Sequence, residues 1–180
     1  MKIVLRVGLL AALVVAGIWL WLVLFPSPEK VIRQRLATVA KRASFAADEG
    51  ALGRLASAES LAGYFSTNVE IDLDVPGRIQ HTILGRDEIT QTAAAARSTV
   101  SSLSVKFLDV TLTIGPDKQS AVADFTIEAR VGGEPDLIVQ EMKFTLRKID
   151  GQWLITHVET IRTLSILNVE LPRAPSIVLA

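Results

Sequence analysis

The sequence predicts an α+β protein: an N-terminal transmembrane helix, then three helices packed in a curved antiparallel sheet. Two observations carry the prediction. Residues 7–25 hold no charge, about 28 Å of helix at ~1.5 Å per residue, which is enough for a bilayer core. Residues 103–164 are β-rich and broken by three turn clusters: Gly115-Pro116-Asp117-Lys118, Gly132-Gly133-Glu134-Pro135-Asp136 and Asp150-Gly151. Gly and Asp tolerate the positive φ that tight turns need, so such clusters between β-rich runs signal hairpins. Four strands follow, 103–114, 119–130, 137–149 and 152–164, joined as an antiparallel meander. The residues between the uncharged run and the meander must cover one face of that sheet.

Composition narrows the function classes. The 180 residues divide into an anchor (1–27), one domain (28–164) and a tail (165–180). Formal net charge is zero, yet residues 1–35 carry +4 and the remainder −4. A mildly acidic globular part is poor footing for phosphate-backbone binding, so no nucleic-acid partner is expected. The absence of cysteine excludes a disulfide framework, a thiolate metal site and a cysteine nucleophile. The uncharged run reads as a retained membrane anchor rather than a cleaved signal. Eight largely apolar residues follow Ala16-Gly17, and a cut after Ser27 would leave Pro28 next to the scissile bond. Trp19 and Trp21 lie toward its far end, where indole rings favour the interface. Lys2 and Arg6 precede the run and Lys30, Arg33, Arg35, Lys41 and Arg42 follow it, so the positive-inside rule alone leans the other way. The short tail resembles a bacterial signal anchor, which implies a single-pass inner-membrane protein with its domain on the periplasmic side.

Taken in order, Pro26 and Pro28 end the membrane helix and Ser27 caps the next. Ile32, Leu36, Val39, Ala40 and Ala43 repeat at helical spacing, with Arg33, Arg35, Lys41 and Arg42 off the stripe as a solvated or lipid-facing side. After Gly50, a less regular helix has Leu52, Leu55, Ala58, Ala62 and Phe65 as its inner face. Residues 69–75 alternate Val69, Ile71, Leu73 and Val75 with Glu70, Asp72 and Asp74, the pattern of a half-buried strand. The Pro76-Gly77 turn leads to a short strand at 79–84. A third helix, 86–98, places Asp87 and Glu88 at its positive end, with Ile89, Ala93 and Ala96 inward. In the meander, Ala121, Ala123, Phe125, Ile127 and Ala129 face one side, as do Ile138, Met142, Phe144 and Leu146. The first long strand changes phase after Phe107, which predicts a β-bulge near Phe107–Leu108 that bends the sheet.

This order of elements resembles the nuclear transport factor 2-like cone fold over about 29–164. So do Gly85-Arg86-Asp87-Glu88-Ile89 opening the third helix and Asp150-Gly151-Gln152-Trp153-Leu154-Ile155-Thr156-His157 in the last strand. The resemblance implies a cone with an interior pocket. It leaves function open, since that family includes ketosteroid isomerases, polyketide cyclases, dehydratases and members without catalysis.

Four residues are candidates for chemistry. Trp153, Ile155 and His157 alternate onto one face, so an inward Trp and Ile imply an inward His157, either a general acid–base or a core histidine bonded to a carbonyl. Asp74-Val75-Pro76-Gly77 is similar to the isomerase strand ending in Asp-Pro-Val-Gly, whose aspartate shuttles a proton beside a carbonyl. Alternation against Ile71 and Leu73 instead turns Asp72 and Asp74 to solvent. Tyr64 either donates to an oxyanion, as an isomerase-like tyrosine does, or packs at the rim. His81 and His157 lack metal-ligand spacing, and neither a Gly-x-Ser-x-Gly elbow nor a phosphate loop is present, so no metal or cofactor is expected. The outer sheet face, with Asp124, Thr126, Glu128, Arg130, Thr145, Arg147, Thr160 and Arg162, suits a homodimer or an envelope protein partner. The apolar tail suits packing back on the domain or edge addition to a partner. Three roles stand: a tethered module binding a partner or small apolar ligand, an isomerase, cyclase or dehydratase using His157 and an Asp, and a scaffold subunit of an envelope complex. The scarcity of convergent titratable groups favours the first and third.

Overall fold

A computed structural model describes residues 27–46, 50–73, 81–133 and 137–167. The expected span 7–25, Asp74, Val75 and the tail beyond Leu167 lie outside the described residues. No described helix is long and apolar enough to cross a membrane.

Helix α1 (Pro28–Ala43) begins where the Ser27 hydroxyl accepts the Lys30 N–H, with Pro28 in its first turn. It buries Ile32, Leu36, Val39 and Ala40, the stripe its spacing predicts. Helix α2 (Ala51–Ala62) departs from expectation. It buries only Ala58 and Ala62, while Leu52 and Leu55 are 86% and 46% exposed. Leu55 shares Ala62's side of the helix but lies two turns earlier, so only the C-terminal half of α2 reaches the core. Phe65 does not extend this helix. The Gly63-Tyr64 turn ends it, and Phe65 opens β1 (Phe65–Leu73). After β2 (His81–Leu84), Gly85 at φ 83° leads into α3 (Arg86–Thr99).

The four long strands are β3 (Leu103–Ile114), β4 (Ser120–Val131), β5 (Leu137–Ile149) and β6 (Gln152–Leu167). The last runs three residues past its expected end. Asp150 (φ 49°) and Gly151 (φ 79°) make the tightest hairpin, as the Asp-Gly pair requires. The six strands form one sheet in the order β2-β1-β6-β5-β4-β3. It is mixed rather than wholly antiparallel, because β1 and β6 run parallel. The chain leaves β1, crosses through β2 and α3 to start the meander at the far edge, and returns beside β1 in the same direction.

Bulges curve this sheet. In β3 the register shifts between Leu108 and Thr111, with Asp109 at φ 54°, just beyond the expected phase change. Against β5, β6 shifts three times. On the concave face Phe107, Phe125 and Phe144 from three strands meet, with centroids 4.4, 4.7 and 5.8 Å apart and the two Phe144 contacts edge-on. Leu146 and Ile155 beneath them are fully buried.

The outer edge of β3 is occupied. Phe45 exchanges both backbone bonds with Leu103 at 2.8 and 2.9 Å. Ser44 Oγ accepts the Val105 N–H at 2.9 Å, and Arg33 Nη1 donates to the Val110 carbonyl at 2.9 Å. These bonds pin α1 along an edge that would otherwise offer a row of free backbone groups.

In the β3–β4 turn, Asp117 Oδ1 accepts from Gln119 N, Ser120 N and Ser120 Oγ at 2.8–3.0 Å. The backbone bond from Gln119 is the largest cause holding its carboxyl below the ordinary 3.8, followed by the Ser120 bonds. A depressed folded-state pKa adds stability above the unfolded value, which is lost as pH falls through the folded one. Asp117→Asn therefore removes part of the acid-side loss below pH ~4, measurable by urea unfolding between pH ~2 and ~5. Leu146→Ala lowers stability by about 2–5 kcal/mol, whereas Leu52→Ala stays within about 0.5 kcal/mol. Urea midpoints of the two variants check both.

Candidate functional site

The sheet's two faces divide the polar chemistry. Across the convex face, pairing aligns Glu70, His157 and Thr145 in one row and Asp72, Glu159 and Lys143 in the next. His157 therefore does not follow Trp153 and Ile155 inward. Thr145 pairs with His157 but Leu146 with Ile155, so Thr156 is an inserted residue that resets the alternation. Val158 takes the buried position, and the His157 side chain is 32% exposed, its Nδ1 3.9 Å from Glu70 Oε2. Asp72 is also outward, as alternation predicts, and accepts the Thr82 hydroxyl at 2.7 Å. Lys143 and Glu159 pair at 3.1 Å. Asp74 and the His81 side chain lie outside the described residues. Among the described residues, no cluster of three His, Asp or Glu is arranged to hold a metal ion.

The concave face is apolar at its closed end and half-open toward the other. Phe125, Met142 and Phe144 are buried, while Val105, Phe107, Ile127 and Ile138 farther along are half-buried. Their polar neighbours are Gln140, whose Nε2 donates to Thr163 Oγ1 at 3.1 Å, and Thr160, which donates to Met142 Sδ at 3.4 Å. This wall can hold an apolar body and one or two hydrogen bonds.

Tyr64 sits at the rim of the core, and its carbonyl accepts the Ile155 N–H at 3.0 Å. Arg35 packs over it, guanidinium carbon 4.8 Å from the ring centroid. Sequence spacing assigned Arg35 to the solvated side of α1. At 100° per residue, however, it lies only ~40° around the helix from Val39. Arg35 Nε is fully buried and has no hydrogen-bond acceptor among the described residues, a group whose burial costs about 1–3 kcal/mol. Burial lowers the guanidinium pKa, and Tyr64 partly offsets that. Arg97 also escaped the sequence. It is buried, donates to the Arg42 carbonyl and stacks on Phe45 at 4.7 Å, tying the ends of α1 and α3 together.

Solved structures of other proteins share this fold. A scytalone dehydratase-like protein from Novosphingobium aromaticivorans matches at 18% identity and TM-score 0.57, over 84% of this chain and 94% of its own. The fold is the nuclear transport factor 2-like cone. Yeast Ubp3-associated protein Bre5 matches this cone at 17% identity and TM-score 0.57, over 76% of the chain and 96% of Bre5. A nuclear transport factor 2-like protein of unknown function from Pseudomonas putida matches at 13% and 0.54, over 72% and 82%. No protein-family model matches the chain, and no curated protein matches it in sequence.

The site geometry separates two substitutions. His157→Ala removes only a partly exposed pair and changes stability by less than about 0.5 kcal/mol. Gln140→Ala breaks a half-buried bond and costs about 1 kcal/mol. Urea denaturation of both variants beside the parent chain measures the contrast.

Proposed function

We propose that the chain is a membrane-tethered, non-catalytic binding module whose cone takes up a small apolar ligand in the bacterial cell envelope. The observation that supports it is the segregation of its side chains. His157 and Asp72, which an isomerase-type mechanism needs inside the cone, stand on the convex face. The half-open concave wall offers Phe107, Ile127 and Ile138 with the Gln140–Thr163 pair, suited to holding a molecule and not to moving protons. The tether is the uncharged run 7–25, which joins α1 two residues later. The domain lies on the periplasmic side of the inner membrane.

A second role has its own observation. On the convex face, Leu108 (37% exposed) stands just before the β3 bulge and Ile161 (49%) is the residue inserted in β6, beside Asp109, Asp124 and Glu141. Ile161 and the three carboxylates line a depression of about 230 Å³. Apolar side chains ringed by carboxylates suit a protein partner carrying basic residues, either an envelope protein or a second copy. Yeast Bre5, which has this cone fold, is a Ubp3-associated protein.

Native purification of the full chain with its N-terminal run intact, followed by mass spectrometry of bound molecules, tests the primary role. A small apolar molecule should copurify, be lost when Ile127→Trp fills the wall, and be retained in His157→Ala. Purification of the chain without any such molecule would overturn the ligand role. Loss of cellular function in a folded His157→Ala variant would restore the enzyme alternative.

A further inference from the structure

The half-buried Arg35 guanidinium lacks what its environment asks for. Its Nε is cut off from water without an acceptor, and no hydrogen bond or ion pair joins the guanidinium to a carboxylate among the described residues. Its neighbour Arg33, on the exposed side of the same helix, is by contrast fully engaged, with Glu29 at 3.0 Å and the Val110 carbonyl at 2.9 Å. The Tyr64 ring, 4.8 Å from the guanidinium carbon, holds Arg35 in place without supplying a hydrogen-bond acceptor oxygen. A planar fork with open donors, partly desolvated and held by an aromatic ring, matches the two oxygens of a carboxylate. Val31, Leu61 and Tyr64 pack against the core on the same rim, so an anion here meets an apolar surface.

We propose that Arg35 and Tyr64 form an oxyanion-binding site at the junction of α1 and α2, selecting a ligand that carries a carboxylate on an apolar body. The site rests on the reading that this domain binds a small ligand, and it places that ligand's acid group on the core rim beside Tyr64: an amphipathic acid rather than a neutral hydrocarbon. The guanidinium supplies the charge and the fork, the Tyr64 hydroxyl is a second donor, and the adjoining core rim takes the apolar part. Arg35 acts here in binding, with no bond made or broken.

The test uses two probes of the same body, 2-naphthoate and 2-naphthamide, titrated calorimetrically against the full chain in lipid nanodiscs with empty nanodiscs subtracted. The acid should bind about tenfold tighter than the amide. Arg35→Gln should erase that preference. Arg35→Lys, which keeps the charge without the fork, should retain part of it. Tyr64→Phe, which keeps the stack, should weaken the acid alone. Equal binding of acid and amide, or an unchanged preference in folded Arg35→Gln, overturns the site and leaves the ligand-binding reading standing. Binding of neither probe overturns both. Should Arg35→Gln unfold, as its urea midpoint would show, the Arg35→Lys and Tyr64→Phe results decide.

Discussion

The two-residue alternation of a strand is the constraint on which this protein depends, together with the places where the chain breaks it. A regular strand assigns each side chain to a face by parity alone. Inserting one residue reverses that assignment for everything downstream and bends the ribbon. Asp109 does this in β3, Thr156 in β6 opposite Thr145–Leu146, and Ile161 farther along the same strand. The bends that make the sheet a cup are thus the same events that decide which residues face the cup. Curvature and site chemistry are set together.

Two consequences follow for packing. The three phenylalanines of β3, β4 and β5 converge because the sheet is curved, and their tilted and edge-on contacts run from the buried Phe125 and Phe144 to the half-buried Phe107. The helices cover the remainder unevenly. α1 lies against β3, while α2 packs chiefly on α3 and reaches the core only through its C-terminal alanines and Leu61. Toward the other end of the long strands the concave wall is left half-covered. A fold that closed completely would have no room for a ligand.

Much of this architecture was legible in the sequence. The turn clusters placed all four long strands, the α1 stripe named its buried residues, and the phase change after Phe107 located a bulge to within two positions. The side chain of His157 was not legible. Nothing in Ile155-Thr156-His157-Val158 distinguishes an alternating strand from one with an inserted threonine, because β-branched residues fit either. The insertion is fixed by pairing with Thr145 and Leu146, a tertiary fact. Arg35 was missed for a related reason. Charge alone argues for solvent, and only the arrival of Tyr64 after α2 gives the guanidinium a surface to lie on. Leu52 and Leu55 misled in the opposite direction, since apolar spacing cannot say how far a helix projects beyond the sheet it covers. The parallel β1–β6 contact required the whole chain path.

The fastening of α1 to β3 has a mechanical side. Phe45, Ser44 and Arg33 hold Leu103, Val105 and Val110 along one line, spread over most of the helix length. Any tension arriving from residues 1–26 enters the domain through this helix and loads those links side by side, in shear, instead of unzipping them one after another. A domain towed from its N-terminus would accordingly resist being pulled open along its β3 edge.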